Sequence, residues 1–463
     1  MNIMTAGRIA ADRLFKQGIR KNYWAISQMV VRMTHLLSSS NRTFAYHVVK
    51  DYARFLLGTV RPIHGQTRER ARAAVDWILR AQDATADSGV SYGYFPCDEE
   101  HGWIASYPET TGYLIPSLLE FARCFGDDEI RQRALRMAYW EVEIQMESGA
   151  IQGGHVCVPE KQTPAVFNTG MVLDGWSAAY RASGDELFLE SGRRAADFLL
   201  GDLDENGYFK TNGQFVSSGQ IKTYNCLCAW SIYRYGDDVQ ETRYQQAASK
   251  IVEAALRQQQ PNGWFANNCL GRPEAPLLHT IGYTLQGVLE VGILAGREEF
   301  IDAVKLGTDP LINRMSRRGF LYGRFYADWK PAVFSSCLTG SAQLAVVCYR
   351  LYEHLGESKY RAAADCIVNY LKALQVLDST NESINGALAG SFPLFGGYMT
   401  AGYPNWATKY FLDSLLLQEH FLDNSYGRVA YRRRGHIPEL LPIIPLPDKK
   451  CSYSLCLHSA ACN

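Results

Sequence analysis

The chain has 463 residues, 47% of them hydrophobic and 20% charged, with 47 basic against 47 acidic side chains and a formal net charge of zero. That composition excludes a chain disordered throughout. It gives no electrostatic footprint for nucleic acid, since Lys and Arg are dispersed apart from the run Arg432, Arg433, Arg434.

The first sixty residues include "RIAADRLFKQGIRKNYWAISQMVVRM", a basic amphipathic pattern with no uninterrupted apolar core after it. It is neither a signal peptide nor a membrane-spanning helix. We expect residues 1–60 to form a helical arm packed on the rest, with docking to a membrane surface as the alternative. From 61 to 425 helical patterns alternate. One set falls near 67–83, 128–146, 186–200, 240–258, 298–314 and 358–376, and is amphipathic, as in "RERARAAVDWILRAQ". The other falls near 107–125, 166–183, 223–235, 279–295, 336–355 and 405–421, and is apolar on nearly all sides, as in "HTIGYTLQGVLEVGIL". Helices apolar all round belong inside and amphipathic ones outside. Gly126, Gly184, Gly236, Gly296 and Gly356 recur at intervals of 52 to 60 residues. Each closes one helix before an acidic or Arg-Glu start of the next. "MESGAIQGG", "DENGYFKTN", "QPNGWFANN" and "RRGFLYGRF" mark the alternate turns. A period of this size signals a repeat architecture. Six inner and six outer helices predict an all-α (α/α)6 toroid with short β-hairpin loops. After Tyr426, Pro-rich "HIPELLPIIPLP" predicts a poorly ordered tail over 426–463.

Twelve cysteines show neither a metal-site spacing nor a secreted disulfide framework. A cytoplasmic setting follows, with the inner-membrane surface as a second address. No metal motif and no cofactor motif is found.

Chemistry in such a ring sits where the inner helices begin. These starts read Tyr107-Pro108-Glu109, Phe167-Asn168-Thr169, Thr223-Tyr224-Asn225, His279-Thr280-Ile281-Gly282-Tyr283, Cys337-Leu338-Thr339-Gly340 with Gln343, and Tyr403-Pro404-Asn405-Trp406 with Lys409. Capping accounts for Thr111, Thr169, Thr280 and Thr339. It accounts poorly for Glu109, Tyr224, His279, Tyr283 and Lys409, which need a buried partner or a ligand.

The stretches "SYPETTGYLIPSLLEFA", "LLHTIGYTLQGVLE", "SSCLTGSAQLA" and "YPNWATKYFLDSLL" resemble a bacterial family of toroid proteins associated with exopolysaccharide and cell-surface polysaccharide biosynthesis. The resemblance covers roughly residues 65–422. More distantly the architecture is similar to polysaccharide lyases, glucuronyl C5-epimerases and several glycoside hydrolases. It implies an oligo- or polysaccharide substrate and a possible place beside a membrane polysaccharide synthesis complex.

Three functions stay open. Removing the C5 proton of a uronate needs a base and a group that neutralises the carboxylate, such as an amide, an Arg or a protonated acid. His279, Tyr283 and Tyr224 could move the proton. Tyr107, Asn168, Asn225, Arg324, Trp329, Gln343, Tyr403, Asn405, Trp406 and Lys409 could bind the sugar. Glycoside hydrolysis instead needs two carboxyl groups flanking one bond, with Glu109 as the acid and Asp174, Asp328 or Glu290 as its partner. A non-catalytic glycan-binding subunit needs the aromatic residues alone.

Overall fold

The computed structural model describes residues 42–97, 102–211, 220–269 and 271–426. The expectations for most of the arm and for the tail lie outside the described residues.

Gln66 in the left-handed region precedes α2 (Thr67–Asp83), the first outer helix. The inner helices are α3 (Pro108–Phe125), α5 (Val166–Ser183), α7 (Leu227–Val239), α9 (Leu278–Ala295), α11 (Leu338–Leu355) and α13 (Asn405–Tyr426). The other outer helices are α4 (Asp128–Glu143), α6 (Glu186–Asp202), α8 (Thr242–Leu256), α10 (Glu298–Arg314) and α12 (Ser358–Lys372). Each inner helix packs on the next, and α13 packs on both α2 and α3, so the ring closes. This is the (α/α)6 toroid. Every residue from Leu278 to Gly292 of α9 is buried, whereas α2 alternates buried and exposed faces.

Glycine sets the spacing. A Cβ on Gly112 would lie 2.7 Å from Val172 Cα, one on Gly170 2.7 Å from Cys228 Cβ, and one on Gly340 2.5 Å from the His279 amide nitrogen. Neighbouring inner helices therefore touch backbone to backbone at their N-terminal ends. The alternate-turn glycines do the same on the outside: Gly149, Gly207, Gly263 and Gly319 each sit against a carbonyl of the following outer helix. Gly386 repeats the contact against Ala73 of α2, a fifth copy that carries the pattern across the closure.

Local chemistry differs from the sequence reading in two places. Gly126, Gly184, Gly296 and Gly356 end their helices with positive φ, but α7 runs through Gly236 and ends at Gln240, φ 56°. Gly236 is used for packing instead, since a Cβ there would lie 2.9 Å from Tyr244. The inner-helix threonines are also not N-caps. Thr111 and Thr169 donate one turn back to Tyr107 and Ala165 and accept the amide protons of Val90 and Ile151, and Thr408 likewise accepts from Leu388. They pin the preceding loop onto the helix start. The true caps are acidic and sit on outer helices: Asp127 accepts from Ile130 N and Asp185 from Leu187 N.

Short strands β1 (Gly93–Phe95), β2 (Gly102–Trp103) and β5 (Tyr403–Pro404) form one antiparallel sheet in the order β2-β1-β5. β3 (Ser336–Cys337) pairs antiparallel with β4 (Ser391–Phe392). Both tie loops at the inner-helix starts together. Helix α1 (Arg42–Leu56) lies against these loops: Phe55 packs on Phe320, Phe334 and Phe392, and Asp51 accepts from Leu394 N at 2.7 Å.

Candidate active site

Four inner helices carry a polar residue at the same register, five positions after their first residue: Tyr113 on α3, Tyr283 on α9, Gln343 on α11 and Tyr410 on α13. One turn of helix beyond the start aims these side chains at the ring axis, so equal register means equal depth. The Tyr410 ring lies 5.8 Å from Tyr113 and 6.1 Å from Tyr283. Above them His279, one turn before Tyr283, packs on it at 4.2 Å between ring centres, as the i,i+4 spacing requires. Tyr398, from the loop before α13, sits 5.6 Å from His279, and its hydroxyl accepts from Trp406 Nε1 at 2.7 Å. Phe167 bridges Tyr224 at 5.4 Å and Tyr283 at 4.8 Å. Tyr107 and Trp406 both pack on Tyr92, and Tyr107 also on His155.

Glu109 faces this aromatic cage. Its charge is felt by Tyr107, Tyr113, Tyr224, Tyr283, Tyr398 and Tyr410, which are all raised above the ordinary phenol range chiefly by burial. Glu109 is half-buried in the first turn of α3. Burial pushes its carboxyl up to about 8, and no charged group among the described residues offsets this. Its oxygens take no hydrogen bond from the described residues, and they are not sealed from solvent. At neutral pH Glu109 is a carboxylic acid with a proton to donate.

His279 is 6% exposed, and burial lowers its imidazole to about 4, partly opposed by its hydrogen bond to Gln343. It is neutral at pH 7. Nδ1 lies 2.6 Å from Gln343 Oε1.

The structure thus brings together Glu109, Tyr224, His279 and Tyr283, with Tyr107 and Trp406 at the edge. Other predicted residues are engaged in their own surroundings. Asn168 donates to the Gln152 carbonyl, and Asn405 donates to Ser91 O and Thr110 Oγ1. Asn225 is buried in the 3-10 turn before α7. Lys409 pairs with Asp413 at 2.6 Å and lies over the Tyr410 ring, behind the cage. Arg324 donates to Ala275 O at 2.7 Å and to Cys269 Sγ at 3.8 Å. Trp329 donates to Asn262 O, and Tyr403 is buried in β5 against Phe44. The three carboxylates considered as partners for Glu109 each hold a cation: Asp174 with Arg234, Glu290 with Arg350, Asp328 with Lys330.

The sequence reading missed Tyr410, Tyr92 and His155. Tyr410 had a signal, its shared register with Tyr113 and Tyr283. Tyr92 and His155 come from loops with no periodicity to align.

No protein-family model matches the sequence, and no curated protein matches it. In fold the chain is similar to an unsaturated glucuronyl hydrolase specific for heparin, with TM-score 0.62 and 15% identity over 77% of this chain and 98% of that one. It is similar to an unsaturated glucuronyl hydrolase from Bacillus sp. GL1, with TM-score 0.60 and 14% identity over 77% and 97% of the two chains. It is also similar to the cellobiose 2-epimerase of Bacillus thermoamylovorans B4167, with TM-score 0.58 and 12% identity over 76% and 98%. At these identities the shared property is the toroid. No described helix is long and apolar enough to cross a membrane.

Proposed function

We propose that this protein is a carbohydrate-active enzyme that moves a proton at C5 of a uronate residue, as a lyase or a C5-epimerase. The observation that carries the reading is the pairing of one protonated, hydrogen-bond-free acid with one neutral histidine in a single aromatic cage. In this scheme the Glu109 acid donates to the uronate carboxylate and stabilises the charge that builds there as C5–H breaks. His279 Nε2 takes the proton. The substrate's own negative charge favours the imidazolium that results. Tyr283 or Tyr224, held as phenols, returns a proton to the opposite face of C5 in an epimerase, or to the leaving glycosidic oxygen in a lyase. The aromatic rings supply stacking faces for sugar.

The toroid neighbours support the two halves of this reading separately. The names of the hydrolases carry a glucuronyl group, and the epimerase acts on a sugar stereocentre. A role in making or processing a cell-surface polysaccharide follows from the sequence resemblance.

Hydrolysis is the second reading, favoured by the hydrolase neighbours and by a carboxyl held protonated near pH 7. Against two-carboxylate hydrolysis stands the ion pairing of Asp174, Glu290 and Asp328.

Incubation with saturated and unsaturated uronate oligosaccharides in deuterated water separates these functions. Deuterium at C5 supports epimerisation, and new ultraviolet absorbance from an unsaturated uronate supports elimination. Reducing ends without either, or loss of absorbance from an unsaturated substrate, favours hydrolysis. Binding without any turnover leaves a glycan-binding subunit.

A further inference from the structure

Gln343 is fully buried on α11, and its amide nitrogen has no hydrogen-bond partner. An unpaired buried N–H group is destabilising, and a Met or Leu of similar size would not carry that cost. What the amide provides in return is the 2.6 Å contact of Oε1 with His279 Nδ1. Two glycines make that contact possible. A Cβ on Gly282 would lie 3.0 Å from both Gln343 Cβ and Gln343 Oε1. A Cβ on Gly340 would strike the His279 backbone at 2.5 Å. The α9–α11 approach is therefore built closest where Gln343 meets His279.

We infer that Gln343 is a positioning residue: its amide oxygen holds His279 in the Nδ1–H tautomer and presents the Nε2 lone pair to the space shared with Glu109. This rests on the proton-transfer reading of the site. Nε2 has no hydrogen-bond partner among the described residues and is not sealed from solvent. The other groups facing the ring are Tyr283 on α9, Tyr410 on α13, Tyr398 from the loop before it, and the thiol of Cys337 near the His279 backbone. Burial raises all four, Cys337 to about 12, so none ionises near neutral pH. No charged group among the described residues acts on the imidazole. Among the described residues, Gln343 is thus the one hydrogen-bond contact that selects the tautomer. An amide does so without adding the negative charge that a carboxylate there would bring.

The test is nitrogen-15 NMR of the imidazoles at neutral pH, with the His279 resonance assigned by its loss in His279→Ala. The wild type should show a protonated Nδ1 and a lone-pair Nε2. An Nε2–H tautomer in the wild type would overturn the proposal without any variant being made. Gln343→Met should shift His279 toward the other tautomer and leave thermal stability equal or higher. It should also lower kcat by about tenfold or more with little change in KM. Gln343→Glu should raise the protonation of His279 and move the acid limb of the kcat/KM profile up by about one pH unit or more. A Gln343→Met enzyme that melts lower and keeps both tautomer and kcat would show a packing role only, and overturn the proposal. A wild type that turns over no saccharide would sink the proposed function, while the tautomer measurement would still decide the role of Gln343.

Discussion

Glu109 at the start of α3 and Glu290 deep in α9 are both carboxylates on inner helices, yet they live in opposite electrostatic settings. Glu290 accepts two charge-assisted hydrogen bonds from Arg350 of α11, at 2.8 and 2.9 Å. Asp174 of α5 is held by Arg234 of α7 at the same end of the ring, and Arg181 by Asp238. These pairs stitch adjacent inner helices together and leave no uncompensated charge. At the N-terminal end the same helices are joined by glycine contacts, and no cation among the described residues meets Glu109. Placing an acid where it must stay protonated is costly, a cost that buried Glu141 on α4 also carries. The contrast therefore sets ion-paired acids that join adjacent helices against an unpaired acid at the helix starts, where the proposed site lies.

The contrast breaks most sharply under substitution. Glu109→Gln and His279→Ala should each lower turnover by about two orders of magnitude or more. Glu109→Gln should leave melting nearly unchanged, whereas His279→Ala, which empties a buried site and leaves Gln343 without a partner, should also lower it. Steady-state kinetics beside a thermal melt checks both. Glu290→Gln should do the reverse. It takes the buried carboxylate from Arg350 and leaves only the more exposed Glu353 to pair with it, so urea denaturation should show a loss of about 2 kcal/mol, with kcat retained in the folded fraction.

A smaller effect separates the two acids by pH. The carboxyl of Glu109 rises from 4.5 to about 8 on folding, so the folded protein holds that proton more tightly than the unfolded chain. Its contribution to stability is full below pH 4.5 and is lost as pH rises toward 8. Glu109→Gln should therefore be less sensitive than wild type across that window, though not insensitive, because buried Glu141 shifts in the same direction. His279 has the opposite sign. Its imidazole falls from 6.5 to about 4, so the stability it contributes is present above pH 6.5 and lost on acidification toward 4. Unfolding free energies measured at successive pH values test both slopes. If the acid form of Glu109 and the neutral form of His279 both carry the reaction, kcat/KM should be bell-shaped between about 4 and about 8.

The smallest effect is a control. Asp328→Asn removes only an exposed pair with Lys330 and should change stability by less than about 0.5 kcal/mol and turnover not at all. A large loss of turnover would restore Asp328 as a second carboxylate.

The toroid was legible because it is written periodically. Gly126, Gly184, Gly296 and Gly356 stop their helices as local chemistry demands, and the apolar sweep of α9 marks an inner helix without any tertiary information. Where one residue could serve two purposes, the sequence was silent. Gly236 reads as a stop and acts as a packing site, and Thr111 reads as a cap and acts as a loop anchor. The site was partly legible for the same reason. His279 and Tyr283 share a face by spacing alone, but Tyr92 and His155 arrive from loops whose paths depend on long-range contacts.

What the amino-acid order determined by itself was therefore the set of elements and the faces they bury, because helix periodicity and turn stereochemistry act over a few residues. What only the tertiary structure decided was which polar side chains keep partners. Asp174 and Glu290, read as possible partners of Glu109, and Lys409, read as a sugar contact, proved to be paired with Arg234, Arg350 and Asp413. Gln343, read as a sugar contact, proved to be bonded to His279. Three of the four partners lie about sixty residues away in sequence, on an adjacent inner helix; Asp413 alone shares a helix with its partner, Lys409. For the pairs between helices, whether a buried group is neutralised or left to do chemistry depends on that neighbour, and no local pattern encodes it; Lys409 and Asp413, four residues apart on one helix, are the exception.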